Sequence, residues 1–402
     1  PRPFSDQKRL EFGVCGLGFL IALVGCFYIV KNIKAFIPLI FSFSCFECVL
    51  AILILLLVLD CARRSIGMAI PIMAIIAIGY AMFGKYIPGT WGHNGITFRN
   101  LLTTLVYSDR GVWGSITGTS ATIIATFVIF GSVLFSTGGG QTFIDAANAL
   151  TGRATGGAAK LATISSALFG TVSGSAGANV ATTGVFTIPM MKRLGCKKEF
   201  AAAVGCSASS GDQIMPPVMG AGAFIMADLL GMPYLGIAAA AVLPAVMYYL
   251  GVFVAIDCAA RRYHYKGLAE EDMVSLREVF YYKKSLPVFL PILLLIVFFI
   301  SGYTAVTCAS YALIAAIILF LAVEPKECKQ RLHMLFDGFI ASAKSMLTTL
   351  SLIACAQILV CLISVTGIGV KFSGLIMEIG GGHMFLAGLM AMIATMILGM
   401  GM

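Results

Sequence analysis

Charge is what this chain has least of. Among 402 residues there are 27 Lys or Arg, 18 Asp or Glu and 4 His, so charged side chains make up only 11%. A soluble domain carries about 25%. With 59% hydrophobic residues and a mean hydropathy of +0.97, the chain reads as a polytopic membrane protein. The formal charge of +9 is the Lys and Arg excess of cytoplasmic loops rather than a nucleic-acid surface, because no long basic run occurs. There is no GxxxxGK[ST] loop, so this chain is not itself an ATP-driven pump. Nor does a His stand in a confident span to activate Ser175 of GSAG, which argues against an intramembrane nucleophile and for a chain that is not an enzyme. The 12 cysteines are scattered through apolar segments, and Cys45 and Cys48 form a lone CxxC with no second pair. They read as small buried side chains rather than metal ligands, and no cofactor is implied.

Length of apolar run is the next thing to test. Leu161 to Met191 is thirty-one residues without a charge, longer than the about 20 that one upright helix needs. Between Gly170 and Thr187, fourteen of eighteen residues are Gly, Ala, Ser, Thr or Asn. Such a stretch suits two half-helices meeting at a tip, because unwound backbone is tolerated at membrane depth only inside protein or beside a water-filled cavity. The expected hairpin is 161–191, flanked by Lys160 and Lys192 on one side, with its tip at Ser173 to Thr183.

Further spans are expected at about 10–30, 36–59, 66–83, 112–135, 201–228, 234–257, 286–302, 303–323 and 338–362, with an apolar run at 384–402. Glu11 to Val30 reads as a transmembrane helix rather than a cleaved leader. Phe98 to Tyr107 is amphipathic and suits the membrane interface. With the hairpin counted as no crossing, the basic loops at 60–64, 192–199, 261–284 and 324–331 fall on one side, which positive-inside makes cytoplasmic. Lys31, Lys34, Lys85, Arg99 and Arg110 go against that rule. The chain opens at Pro1 and stops at Met402 inside an apolar segment, so a fragment is expected.

A shift of 229 positions pairs Thr137-Gly138 with Thr366-Gly367, Gly140 with Gly369, Phe143 with Phe372, Gly152 with Gly381 and Gly170 with Gly399. The helices leading into the two copies are separated by an odd number of crossings, so the copies are expected to be inverted. Inverted repeats with broken helices point to a secondary transporter with solute and ion at the repeat interface.

Two stretches carry the expected site. In 201–228, Pro216 and Pro217 break the helix just after Ser209, Ser210, Gly211, Asp212 and Gln213. At the hairpin, Ser173, Gly174, Ser175, Asn179, Thr182 and Thr183 offer backbone carbonyls, hydroxyls and an amide. A sodium ion is expected at Ser173, Ser175, Asn179 and Thr183. Ser and Thr at helix contacts also act as simple glue, and that alternative stays open. Asp212 is an intramembrane carboxylate, functional by default, which either ligates a cation or carries a proton. Glu47 reads as a mid-span carboxylate with a structural partner, and Asp257 as a group near a span end.

At these residues the chain closely resembles the large membrane subunit of tripartite ATP-independent periplasmic (TRAP) transporters, of the fused type that works with TAXI-class solute-binding proteins. The resemblance runs from LDCARRSIG at 59–67 through YIPGTWGHNG, FVIFGSVLFSTGGGQTFIDAANALTGRATGGAAK, SALFGTVSGSAGANVATTGVFTIPMMKRLG and QIMPPVMGAGAFIMADLLGMPY to MILGMGM at the end. It implies an all-α, inverted-repeat, elevator-type symporter with re-entrant hairpins, in the bacterial inner membrane. By the resemblance, 1–85 is part of a fused small-subunit region and 86–402 the large-subunit region, whose second repeat stops at 402 before its own tip. It also implies Na+ or H+ coupling, a periplasmic TAXI-type partner and a small organic anion, dicarboxylate or amino acid, as solute. A channel or a transport-inactive scaffold is the alternative. The family pattern has a Glu, then small residues, then Ser-Thr-Gly-Gly-Gln. This chain has Gly205-Cys206-Ser207 and then Ser209-Ser210-Gly211-Asp212-Gln213. The carboxylate is displaced by about two helical turns, so Asp212 is expected to substitute for it.

Overall fold

A computed structural model describes residues 6–36, 44–268, 272–323, 327–379 and 383–399. Every regular element among them is helical. In chain order these are α1 (Asp6–Phe36), α2 (Cys45–Ile66), α3 (Ala69–Phe83), α4 (Phe98–Val106), α5 (Ser115–Thr119), α6 (Ala125–Leu134), α7 (Gly140–Thr151), α8 (Gly157–Ser173) and α9 (Ala176–Arg193). They continue with α10 (Lys198–Ser210), α11 (Ala221–Leu230), α12 (Tyr234–Arg262), α13 (Leu276–Val279), α14 (Tyr282–Ile300), α15 (Ala305–Val323), α16 (Cys328–Thr366), α17 (Ile368–Ile379) and α18 (Met384–Gly399). Among the described residues eight helical stretches are long and apolar enough to cross a membrane. The chain is an all-α polytopic membrane protein. α12 leaves an apolar stripe exposed at Leu243, Met247, Leu250 and Val254, spaced to lie along one helical face, on a helix long and apolar enough to cross the membrane.

The chain forms two compact units, 1–118 with 347–402, and 119–346. The 85/86 division drawn from the resemblance falls inside the first and concerns descent rather than packing. In the first unit, Ser44 precedes α2 and Glu47 lies in its first turn. The Ser44 N–H donates to Glu47 Oε2 at 2.6 Å, the return bond of a capping box. Glu47 is therefore a capping residue, not a mid-span one, and Tyr28 donates to its other oxygen at 3.0 Å. The amphipathic α4 also corrects an expectation. Leu101, Leu102, Leu105 and Val106 are buried in one core with Leu50 and Ile54 of α2, so this apolar face is covered by protein rather than resting in the interface.

The second unit holds both interrupted segments. Gly138, at φ +98°, ends the helix that enters through α6, and α7 restarts at Gly140. In the other unit Gly367, at φ +68°, separates α16 from α17. The two glycines are repeat partners, and the helices that follow each run for 12 residues. Only glycine takes a left-handed conformation without a Cβ penalty, so the shared register has a physical basis. Gly381, the partner of Gly152, and the closing residues 400–402 lie outside the described residues.

Lys160, expected as a flanking loop lysine, is buried in the first turn of α8 and paired with Asp257 of α12. Asp257 also takes Arg261 at 2.8 Å. Asp257 therefore needs more than interfacial water to explain it, because a buried ammonium requires a counter-charge. Lys160→Met and Asp257→Asn should each lower the unfolding temperature of detergent-purified protein. Because one ion pair is lost in either case, the double variant should lose less than the sum, and strictly additive losses would show the pair to be uncoupled.

Candidate functional site

The 161–191 stretch folds as two helices joined by two residues. α8 ends at Ser173, Gly174 takes φ +64°, and Ser175 caps α9 by accepting from the Ala178 N–H at 3.4 Å. The Ser173 hydroxyl accepts from the Ser175 N–H at 3.2 Å. The break is thus narrower than the expected tip, and Asn179, Thr182 and Thr183 lie on the first turns of α9.

The second interruption sits directly against the first. After α10 the chain makes one tight turn, Gly211–Ile214, passes Pro216 and Pro217 as irregular backbone, and restarts at Ala221. Asp212, fully buried, accepts the Gly174 N–H on Oδ1 at 3.0 Å. Glycines permit this approach. A Cβ on Gly170 would stand 3.0 Å from Asp212 Cα, and one on Gly174 would stand 1.9 Å from the Met219 carbonyl oxygen. The Gly220 N–H closes the broken segment onto the Gln213 carbonyl at 2.8 Å.

Beside the tip lies a cavity of about 310 Å³. Hydroxyls of Ser132, Ser136, Ser173, Ser175, Thr182 and Ser345 line it, with Phe135 and Phe169 as an apolar wall. These two rings are 3.8 Å apart between centroids. None of its lining residues is charged, so the polarity available to a solute there comes from hydroxyls and from the start of α9, whose free amides favour negative charge.

The expected site residues separate into three groups. Ser173, Ser175 and Thr182 line the cavity, next to Gly174 at the break. Asn179 and Thr183 are buried and stitch the two helices together. The Asn179 amide donates to the Ser166 carbonyl at 3.0 Å, the Thr183 and Ser166 hydroxyls meet at 3.5 Å, and within α9 Thr183 donates to the Asn179 carbonyl at 2.8 Å. The four residues expected around a sodium ion thus divide between cavity wall and helix contact. Asp212 and Ser209 lie behind the tip, and Asp212 Oδ2 and Ser209 Oγ are buried with no hydrogen-bond partner. Ser210 is exposed and donates to the Cys206 carbonyl at 2.8 Å, Gln213 is exposed, and Pro216 lines a different crevice. Sequence reasoning missed Ser132, Ser136 and Ser345. The first two had a signal, since GSVLFS sets two serines four apart on one helical face. Ser345 comes from a distant helix and had none.

The family model described as "Tripartite ATP-independent periplasmic transporter, DctM component" matches residues 53–402. A C4-dicarboxylate TRAP transporter large permease protein DctM of Vibrio cholerae is 29% identical over 218 residues, 52% of this chain and 46% of that protein. The protein of the same name from Pseudomonas aeruginosa is 33% identical over 155 residues, 39% of this chain and 35% of its own length. A Salmonella typhimurium protein printed as uncharacterized protein YgiK is 25% identical over 223 residues, 55% and 50% of the two chains. The matched stretches cover half or less of these relatives.

Gly174→Ala tests the tip. The left-handed conformation alone costs a side chain about 1–2 kcal/mol, and the Met219 carbonyl blocks the new methyl, so the purified variant should unfold at a lower temperature. Gly177→Ala, whose Cβ meets nothing within 4 Å, should match or exceed the parent. Equal behaviour of the two would remove the close docking of tip and break.

Proposed function

We propose a function from this premise: the chain belongs to the DctM-component family of TRAP transporters, multi-pass large-subunit permeases of the inner membrane. In this reading it is a secondary symporter permease. It imports a small organic anion handed over by a periplasmic solute-binding protein of the TAXI class, using a Na+ or H+ gradient. The relatives' printed names, C4-dicarboxylate permeases, support an anionic solute, and so does the cavity at the start of α9.

The observation that carries the reading is the hydrogen bond from Gly174 to Asp212 at 3.0 Å, which joins the wall of the solute cavity to a buried carboxylate. A carboxylate group of the solute rests against the hydroxyls of Ser132, Ser136, Ser173 and Ser175 and the first amides of α9. The coupling ion, Na+ or H+, is taken near Asp212, where Oδ2 and Ser209 Oγ are without a hydrogen-bond partner. Loading that carboxylate alters what Gly174 is bonded to, and so alters the tip that faces the solute. The tip and the broken segment move as one body, which suits an elevator motion.

The decisive experiment uses the complete gene product in proteoliposomes. Labelled dicarboxylates and amino acids are offered with a Na+ gradient, a proton gradient or neither, with and without the TAXI-class protein. Accumulation should need both a gradient and the binding protein; equilibration indifferent to both would make the protein a channel. Asp212→Asn should abolish or switch the ion dependence of uptake, and an unchanged dependence would remove Asp212 from coupling. Replacing Ser132 and Ser136 together by Ala should raise the half-saturating solute concentration by about 30-fold, at about 1 kcal/mol for each lost hydrogen bond. A value equal to the parent's would take these serines out of the solute site.

A further inference from the structure

A second cavity, of about 290 Å³, lies in the same unit and has no part in the hydroxyl-lined site. Its floor is Pro216 and Pro217, the irregular backbone between α10 and α11. One wall is Tyr234, Ala238, Ala239 and Val242 of α12, and the other is Ile296, Phe299 and Ile300 of α14. Three features decide what can fill it. The first is polarity. The one side-chain polar group on its walls, the Tyr234 hydroxyl, is already bonded to the Pro217 carbonyl at 2.8 Å and to that of Val218. A water needs two to four polar partners, so water does not belong here.

The second feature is position. Tyr234 opens α12 and Ile300 closes α14, so the crevice starts at the end of the bundle where the turns at 231–233 and 301–304 lie, beside Pro216 and Pro217, and runs inward along the two helices to Val242 and Ile296. The third is continuity with lipid. Val242 is 49% exposed and Ile300 is 72% exposed, on helices long and apolar enough to span the membrane. The crevice is a branch of the lipid-facing surface, made where Ala238 and Ala239 remove bulk from α12.

We propose that this crevice binds one acyl chain of a membrane phospholipid, entering from the leaflet at the 231–233 end, passing over Pro216 and Pro217 and ending between Val242 and Ile296. The occupant is apolar, because neither a hydrogen bond nor a charge is available to any other. An acyl chain there packs against the irregular segment at Pro216 and Pro217. Tyr234 stacks on Phe224 at 4.2 Å and faces Phe299 at 5.6 Å, so the wall that meets the chain is itself braced. Packing, not water exclusion, supplies the attraction, since the competing environment is also hydrocarbon.

The test uses the complete protein in liposomes containing a phosphatidylethanolamine with a photoreactive diazirine near the end of one acyl chain. After irradiation, adducts are mapped by mass spectrometry. Adducts should concentrate at 238–242 and 296–300 over other lipid-facing positions of α12 and α14. Ala239→Trp, which fills the crevice from an exposed position, should reduce them several-fold, and Val242→Trp should do the same if the first variant folds poorly. Leu243→Trp, exposed but outside the lining, should leave them unchanged. Uniform labelling along the two helices, labelling indifferent to Ala239→Trp, or occupation by a polypeptide segment of this protein or its partner would each overturn the proposal. The readout is binding alone, so it stands or falls separately from the transport reading.

Discussion

One hydrogen bond, from the Gly174 N–H to Asp212 Oδ1, joins two places where the backbone gives up regular structure. A broken helix in a membrane leaves carbonyls and amides that lipid cannot satisfy, and each costs several kcal/mol if left alone. Placing two breaks against each other lets one segment supply what the other lacks. The cost in sequence is glycine: Gly170 and Gly174 stand where any side chain would strike Asp212 or Met219. The glycines at 170 and 174, two of the small residues that make the segment unusual as a membrane span, follow from that contact.

The contact also separates two kinds of polarity. On one side of the tip the groups are hydroxyls lining a cavity, adaptable and uncharged. Behind it is a buried carboxylate with one oxygen unused. Asn179 and Thr183, which offer the same chemistry as their neighbours, are consumed by the contact between α8 and α9. Small polar residues in this stretch therefore serve as glue or line the cavity, and which place each has depends on where a single helical turn points it.

The same economy appears in the paired glycines at 138 and 367. Each takes positive φ and each is followed by a 12-residue helix, so the repeat is preserved at the position where the backbone is most demanding.

Sequence alone determined a great deal here. The long uncharged stretch, the Pro-Pro interruption and the length of the apolar runs sufficed for the class of fold, the hairpin and the broken span, because the demand that backbone polar groups be satisfied in lipid is local and strict. It also singled out Asp212, since an intramembrane carboxylate is conspicuous wherever it stands. What sequence did not contain was which distant segments share a space. Only the tertiary structure placed Asp212 behind Gly174, brought Ser345 to the same cavity as Ser173, paired Lys160 with Asp257 across 97 positions, and turned Glu47 from a mid-span carboxylate into a helix cap. Those facts depend on side-chain approach between helices far apart in the chain, and periodicity within a helix says which face is polar but not what that face meets.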